Sequence, residues 1–164
     1  MPNHLLLRSW PDGVRQMMGM IGEAILSVMV PANSPFKDMK DLVAYARQNP
    51  GKLLYATSRV GTTHHISAEI LNAAANIQTT HVPYKDGNQA ANDLMGDRVP
   101  VLWTIFGTVL PHAKAGKMRF LGLNNNKRFK LVPDLPTISE QIPEYNPPGG
   151  WTAYFGPAGV PRDI

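Results

Sequence analysis

The sequence predicts an α/β domain built around a mostly parallel sheet. From residue 24 onward, short β-branched and apolar runs alternate with runs whose apolar residues recur at helical spacing. The links between them are short, about 3–6 residues, and carry Pro, Gly, Asn and Asp. The 164 residues suffice for one domain with a real core and are too few for two full ones.

Taken in order, residues 1–23 show no regular pattern. Pro11, Gly13, Gly19 and Gly22 argue against a helix there, and Met17, Met18 and Met20 read as packing residues. Ala24–Val30 reads as a buried strand stopped at Pro31. Asn33-Ser34-Pro35 is a loop, and a helix over Met39–Gln48 follows, with Asp38 as its N-cap and Leu42, Val43 and Ala46 as its apolar face. Leu53–Ala56 is a short strand and Thr57–Gly61 a polar turn. Thr62 or Thr63 caps a helix that runs to Ala75, with Ile66, Ile70 and Leu71 facing inward. Thr79–Val82 is a strand, Pro83–Gly87 a loop, and Asn88–Met95 a helix ended by Gly96. Val99–Thr104 is a strand, Thr108–Ala115 a short helix and Met118–Leu123 a strand. A long connection with a helical turn near Ile138–Gln141 leads to a last strand, Trp151–Phe155. Pro161-Arg162-Asp163-Ile164 reads as the opening of a further helix.

Composition excludes several classes. The formal charge of +4 is scattered, and its densest group, Lys127, Arg128 and Lys130, has one aromatic neighbour, Phe129. That is a solvated loop rather than a nucleic-acid stripe. With no cysteine, disulfides, thiolate metal sites and a cysteine nucleophile are excluded. The longest apolar run, Ile25–Val30, is far short of a membrane span, and Leu5–Leu7 is too short for a signal-peptide core.

In such sheets ligands bind at the carboxyl ends of the strands, beside helix N-termini. The segment Ser58-Arg59-Val60-Gly61-Thr62-Thr63 therefore carries the most chemistry. Free amides and the positive helix end favour an anion. Gly61 permits close backbone approach, Ser58, Thr62 and Thr63 offer hydroxyls, and Arg59 offers charge-assisted bonds. An ordinary capped helix fits the same residues. Tyr84 in the Pro83–Gly87 loop and Thr104 at the end of a strand are weaker candidates; Trp103 and Trp151 are as well placed for core packing.

Catalytic and cofactor templates are absent: there is no G-x-S-x-G, G-x-G-x-x-G, Walker loop or H-E-x-x-H. Adjacent His64 and His65 point about 100° apart on a helix and do not chelate one ion. One is expected to pack or cap a neighbour and the other to be solvated. Asp93 and Asp97 read as solvent-facing charges. No metal, cofactor or catalytic residue is expected, although an α/β enzyme and a non-binding interaction domain remain the alternatives to a binding module.

The run Ser58…Gly61-Thr62-Thr63-His64-His65-Ile66-Ser67-Ala68-Glu69 resembles the loop and helix of the Bug/TctC-like receptors, the solute-binding proteins of tripartite tricarboxylate transporters. So do His81-Val82-Pro83-Tyr84-Lys85, Leu110-Pro111-His112, Pro133-Asp134-Leu135-Pro136-Thr137 and Phe155-Gly156-Pro157-Ala158-Gly159. The resemblance covers about residues 20–164. It implies a type II periplasmic binding protein fold, of which this chain holds mainly one Rossmann-like lobe. Residues 1–29 would be a first-lobe remnant with the first hinge strand, 30–149 the second lobe, and 150–164 the second hinge strand with the start of the return. It further implies a small carboxylate ligand, a membrane permease as partner and a periplasmic location.

This sequence departs from the family's pattern at Asp86, where glycine is usual, at Arg59-Val60, usually a more Gly/Asn-like pair, and at Thr104, where aspartate is common. An acid fewer and an arginine more favour a more anionic ligand. The family's Pro-Gly-Gly segment is missing, so half the cleft is expected to be absent. The hinge residues Leu26, Val28, Trp151, Tyr154 and Phe155 would then partly face water and promote self-association.

Overall fold

The computed structural model describes residues 16–149 and 151–156. The expectations for residues 1–15 and for the helix opening at Pro161 lie outside the described residues. Ile25–Gly149 forms one compact unit, and the described flanks on either side of it fall into another.

In the flanking unit, Gln16–Glu23 is a strand (β1), where the sequence reading placed none. It pairs antiparallel with Trp151–Gly156, from Gln16 opposite Gly156 to Glu23 opposite Trp151. Glycine excludes a helix, but a strand absorbs it: the register slips between Met17 and Gly19 and between Met20 and Gly22.

The larger unit opens with β2 (Leu26–Pro31), all six residues buried. Helix α1 (Met39–Gln48) starts at Asp38, whose carboxylate accepts the Asp41 amide at 2.9 Å. Strand β3 (Leu53–Ser58) runs two residues beyond its predicted end. Helix α2 (Thr63–Ala75) buries Ser67, Ala68 and Leu71, while Ile66, expected to face inward, is 46% exposed. Strand β4 (Thr79–Tyr84) and α3 (Gly87–Met95) follow, then β5 (Leu102–Ile105) and α4 (Phe106–Lys114). Strand β6 (Met118–Asn124) precedes α5 (Ile138–Gln141), whose capping box joins Thr137 and Glu140. Trp151–Gly156 is β7.

The five-stranded sheet has the order β4-β3-β5-β2-β6. Strand β3 is parallel to β4 and β5, and β2 is antiparallel to both β5 and β6. Four strands thus share one direction and β2 alone is reversed. Strand β2, expected up to residue 29 to be the first hinge strand, is hydrogen-bonded inside the sheet of the larger unit.

Strand residues alternate between two cores. Val28, Val30, Tyr55 and Trp103 pack under α1 and α2, while Met29, Ala56 and Leu102 face α3 and α4. Trp103 is therefore a core residue. Leu26 and Val28 are 2% and 0% exposed, which corrects the expectation that they meet water; neighbours on both sides of β2 cover them. Tyr154 is exposed, and the side chains of Trp151 and Phe155 lie outside the described residues. Around Phe129, Arg128 reaches both Glu140 oxygens at 3.0 Å and Phe129 sits edge-on to Phe106, so that loop is anchored rather than freely solvated.

Gly122 shows how closely α1 and α5 press on β6. A Cβ there would lie 3.1–3.3 Å from Gln141, Ile138 and Met39. Gly122→Ala is expected to cost about 1–3 kcal/mol, read as a lower urea midpoint at unchanged slope.

Candidate functional site

Because four strands run the same way, the carboxyl ends of β3, β4, β5 and β6 share one edge of the sheet with the start of the reversed β2. Three helices, α2, α3 and α4, begin there. Each leaves leading amides without an intrahelical acceptor, and each carries a positive end.

The starts of these helices differ in what already occupies them. At α3 the Asp86 carboxylate takes the amides of Asn88 and Gln89, both at 2.9 Å. Its own charge fills that helix end and opposes a second anion. At α4 the N-cap is Ile105, with no side-chain hydrogen bond. At α2 the cap is neutral Thr62, which accepts the His65 amide at 3.5 Å, and the first helical bond runs from the Ile66 amide to the Thr62 carbonyl at 3.0 Å. The amides of Thr63 and His64 precede that bond and meet no carboxylate of the helix start.

The loop before α2 is held by side chains. Arg59 adopts φ +69° and Gly61 φ +77°. The Arg59 amide donates to the Tyr84 carbonyl at 2.9 Å. Its carbonyl accepts from the Thr57 and Thr62 hydroxyls at 3.1 and 3.2 Å. The Gly61 amide donates to Nδ1 of His65 at 3.1 Å. Gly61 therefore acts through its backbone shape, and its own donor is committed within the loop.

Ser58, Arg59, Gly61, Thr62 and Thr63 come together as predicted by their sequence adjacency. The other two candidates are placed differently. The Tyr84 hydroxyl donates to Asp93 at 2.9 Å, and Asp93 also takes Arg98 at 2.9 Å. Tyr84 thus gives the edge its carbonyl while its hydroxyl is engaged elsewhere, and Asp93 is a paired group rather than a solvent-facing charge. Burial and Asp93 hold the Tyr84 phenol above its ordinary range. Thr104 is buried, and its hydroxyl faces the start of α3, 3.3 Å from where a Cβ on Gly87 would stand. Arg59 Nε reaches the Lys85 carbonyl at 3.4 Å, so the loops after β3 and β4 form one rim.

Two polar networks behind this rim were not foreseen. In the first, the His65 and His81 rings stack with centroids 4.1 Å apart, and Tyr55 stacks on His81 at 5.0 Å. Tyr55 donates to Glu69 at 2.5 Å, and His81 Nε2 meets the Thr57 hydroxyl at 2.7 Å. In the second, Ser67 donates to the Thr63 carbonyl at 2.7 Å, Asn124 donates to Ser67 at 3.2 Å, and the Tyr145 hydroxyl donates to Asn124. Ser67 is buried in α2, and the apolar pattern that assigned Ile66, Ile70 and Leu71 to the inner face gave no signal for it.

His64, expected to be packed or solvated, has both ring nitrogens buried with no partner among the described residues. Burial lowers its pKa below the ordinary 6.5, and burial followed by the charge of His65 lowers that of His81. The unfolded chain then binds more protons, so stability rises with pH through this range. The unfolding temperature is expected to fall between about pH 7 and pH 5, and His64→Asn to flatten the fall, as followed by circular dichroism.

The comparisons with known proteins decide the family. The model described as "Tripartite tricarboxylate transporter family receptor" matches residues 10–164. The chain belongs to this receptor family. Relatives of this chain include a UPF0065 protein from the tcbD-tcbE intergenic region of Pseudomonas sp. strain P51. It is 35% identical over 141 residues, which are 84% of this chain and 41% of that one. BugT of Bordetella pertussis is 25% identical over 90% of this chain and 45% of its own. Among solved structures, Rpa4515 of R. palustris with adipate superposes with a TM-score of 0.84 at 30% identity, covering 93% of this chain and 50% of that chain. The chain spans about half the length of the relatives it matches. MatC of Rhodopseudomonas palustris, with bound malate, has a TM-score of 0.78 at 24% identity, and the periplasmic binding protein BugD has 0.79 at 24%. These two share the fold, that of periplasmic binding proteins, as the sequence reading expected.

Proposed function

We propose that this chain supplies one wall of a receptor site for a small carboxylate, with the α2 start and its Ser58–Thr63 loop as the half-site. One observation carries the reading: of the three helix starts on this edge, α3 is filled by its own Asp86 carboxylate, whereas α2 is capped by a neutral threonine with Thr63 and His64 leading. The adipate in a relative of 30% identity supports a dicarboxylate over other anions. By family, the receptor works in the periplasm and passes its ligand to a membrane permease. It holds the ligand without converting it.

The Arg59 guanidinium, exposed on the rim, favours ligands of higher charge. Arg59→Ala is expected to weaken adipate about twofold to fivefold and to leave a monocarboxylate such as hexanoate nearly unchanged, by calorimetric titration. Equal losses for both would remove Arg59 from the site. Exposed Tyr154 supports the further reading that the flanking unit promotes self-association, which light scattering across a concentration series tests. The function itself is tested by a panel of mono-, di- and tricarboxylates. Saturable binding of dicarboxylates without chemical change supports it, and turnover of any member refutes it.

A further inference from the structure

The Ser58–Thr63 loop turns through two residues of positive φ and yet is exposed, so its shape depends on a few contacts. One of them is unusual in kind: the Gly61 amide is held by an imidazole nitrogen, His65 Nδ1, at 3.1 Å. An amide donates only to a ring nitrogen that carries no proton. The His65 proton therefore sits on Nε2, which faces Glu69 at 3.9 Å.

We propose that His65 is the positioning residue of this half-site: its neutral Nδ1 holds Gly61, fixes the loop, and loses its grip when the ring is protonated. The inference rests on the carboxylate reading of the α2 start. His65 lies in the first turn of α2, where the helix end is positive. His81 of β4 stacks on it at 4.1 Å, so two charged rings would repel. Tyr55 of β3 stacks farther off, at 6.5 Å, and presents no charge. Glu69 of α2 also faces the ring, and its Oε1 accepts Tyr55 and the Asn72 amide. The Arg59 guanidinium of the loop is turned to the Lys85 carbonyl.

Protonation would set two donors against each other across the Gly61–His65 contact, and the loop would have to move. Acid then weakens carboxylate binding although it adds a positive charge beside the site. A purely electrostatic role for His65 has the opposite sign.

The test compares the 164-residue chain with its His65→Asn and His65→Gln variants. Asparagine places an oxygen where Nδ1 stood; glutamine places its amide near Nε2. Two readouts are taken by NMR: protection of the Gly61 amide from hydrogen exchange, and affinity for adipate, at about pH 7.5 and about pH 5.5. His65→Asn should keep both at either pH. His65→Gln should lose the protection and about fivefold to tenfold in affinity. The unsubstituted chain should resemble His65→Asn at the higher pH and His65→Gln at the lower. Equal behaviour of the two variants, or tighter adipate binding in acid, overturns the proposal. A chain that never binds adipate overturns the carboxylate reading and this role with it. Equal Gly61 exchange in both variants beside normal adipate binding overturns the His65 role alone.

Discussion

Valine in place of Gly61 is expected to lower adipate affinity at least about tenfold while the core stays folded. The reason is backbone shape. Gly61 holds φ +77°, and a Cβ built there would meet nothing within 4 Å. Steric collision with neighbours is therefore excluded as the cause. A β-branched residue at such a φ costs about 1–2 kcal/mol or more, and an exposed loop escapes that cost by changing conformation. Escape breaks the bond to His65 and releases the Arg59 carbonyl from its two hydroxyl donors. Gly61→Asn is the control, since asparagine tolerates positive φ, and it should retain most of the affinity. An unfolding midpoint displaced by several degrees, with affinity intact, would mean that the loop serves stability rather than binding.

The largest expected loss of stability comes from Asn124→Leu. Asn124 ends β6 in a buried position, accepting from Tyr145 and donating to Ser67, which in turn holds the Thr63 carbonyl in the first turn of α2. Leucine keeps the branched shape in a somewhat larger volume but leaves the Tyr145 hydroxyl without an acceptor, and Ser67 loses a donor. Each orphaned buried group costs about 1–3 kcal/mol, so a total of about 2–4 kcal/mol is expected in urea unfolding. Burial already pushes the Tyr145 phenol far above its ordinary range, consistent with a dry site. Tyr145→Phe, which removes a donor and leaves one acceptor, should cost less, about 1–2 kcal/mol. A neutral Asn124→Leu would show that water reaches this pocket. Because the same chain of bonds ends at Thr63, the variant should also weaken adipate binding.

The contrast between these two sites explains what was legible in the sequence. The sheet and its helices were, because alternation such as Val28-Met29-Val30 and caps such as Asp38 are local signals. So was the Ser58–Thr63 loop, whose parts are contiguous. Strand β1 was missed because Gly19 and Gly22 speak against a helix and say nothing against a bulged strand. The reversed direction of β2 was not legible at all, since direction is fixed by partners far away, Thr104 and Leu123 among them. Thr104 is legible near a strand end, whereas Tyr84, read as part of a loop, closes β4; neither reading says where a hydroxyl points. The Tyr84 hydroxyl went to Asp93, nine residues on. The two histidines were weighed as a pair of neighbours. What matters for His65 is His81, on another strand, and no spacing rule links them.

The central claim is that the α2 start receives a carboxylate, and the most direct measurement is an amide-resolved NMR titration with adipate beside its neutral diamide. A carboxylate held there gives saturable shifts concentrated at Thr63 and His64, smaller ones at Gly107 and Thr108 in the first turn of α4, and none from the diamide. Shifts confined to the Asp86–Gln89 segment, or equal responses to the acid and the diamide, would contradict it.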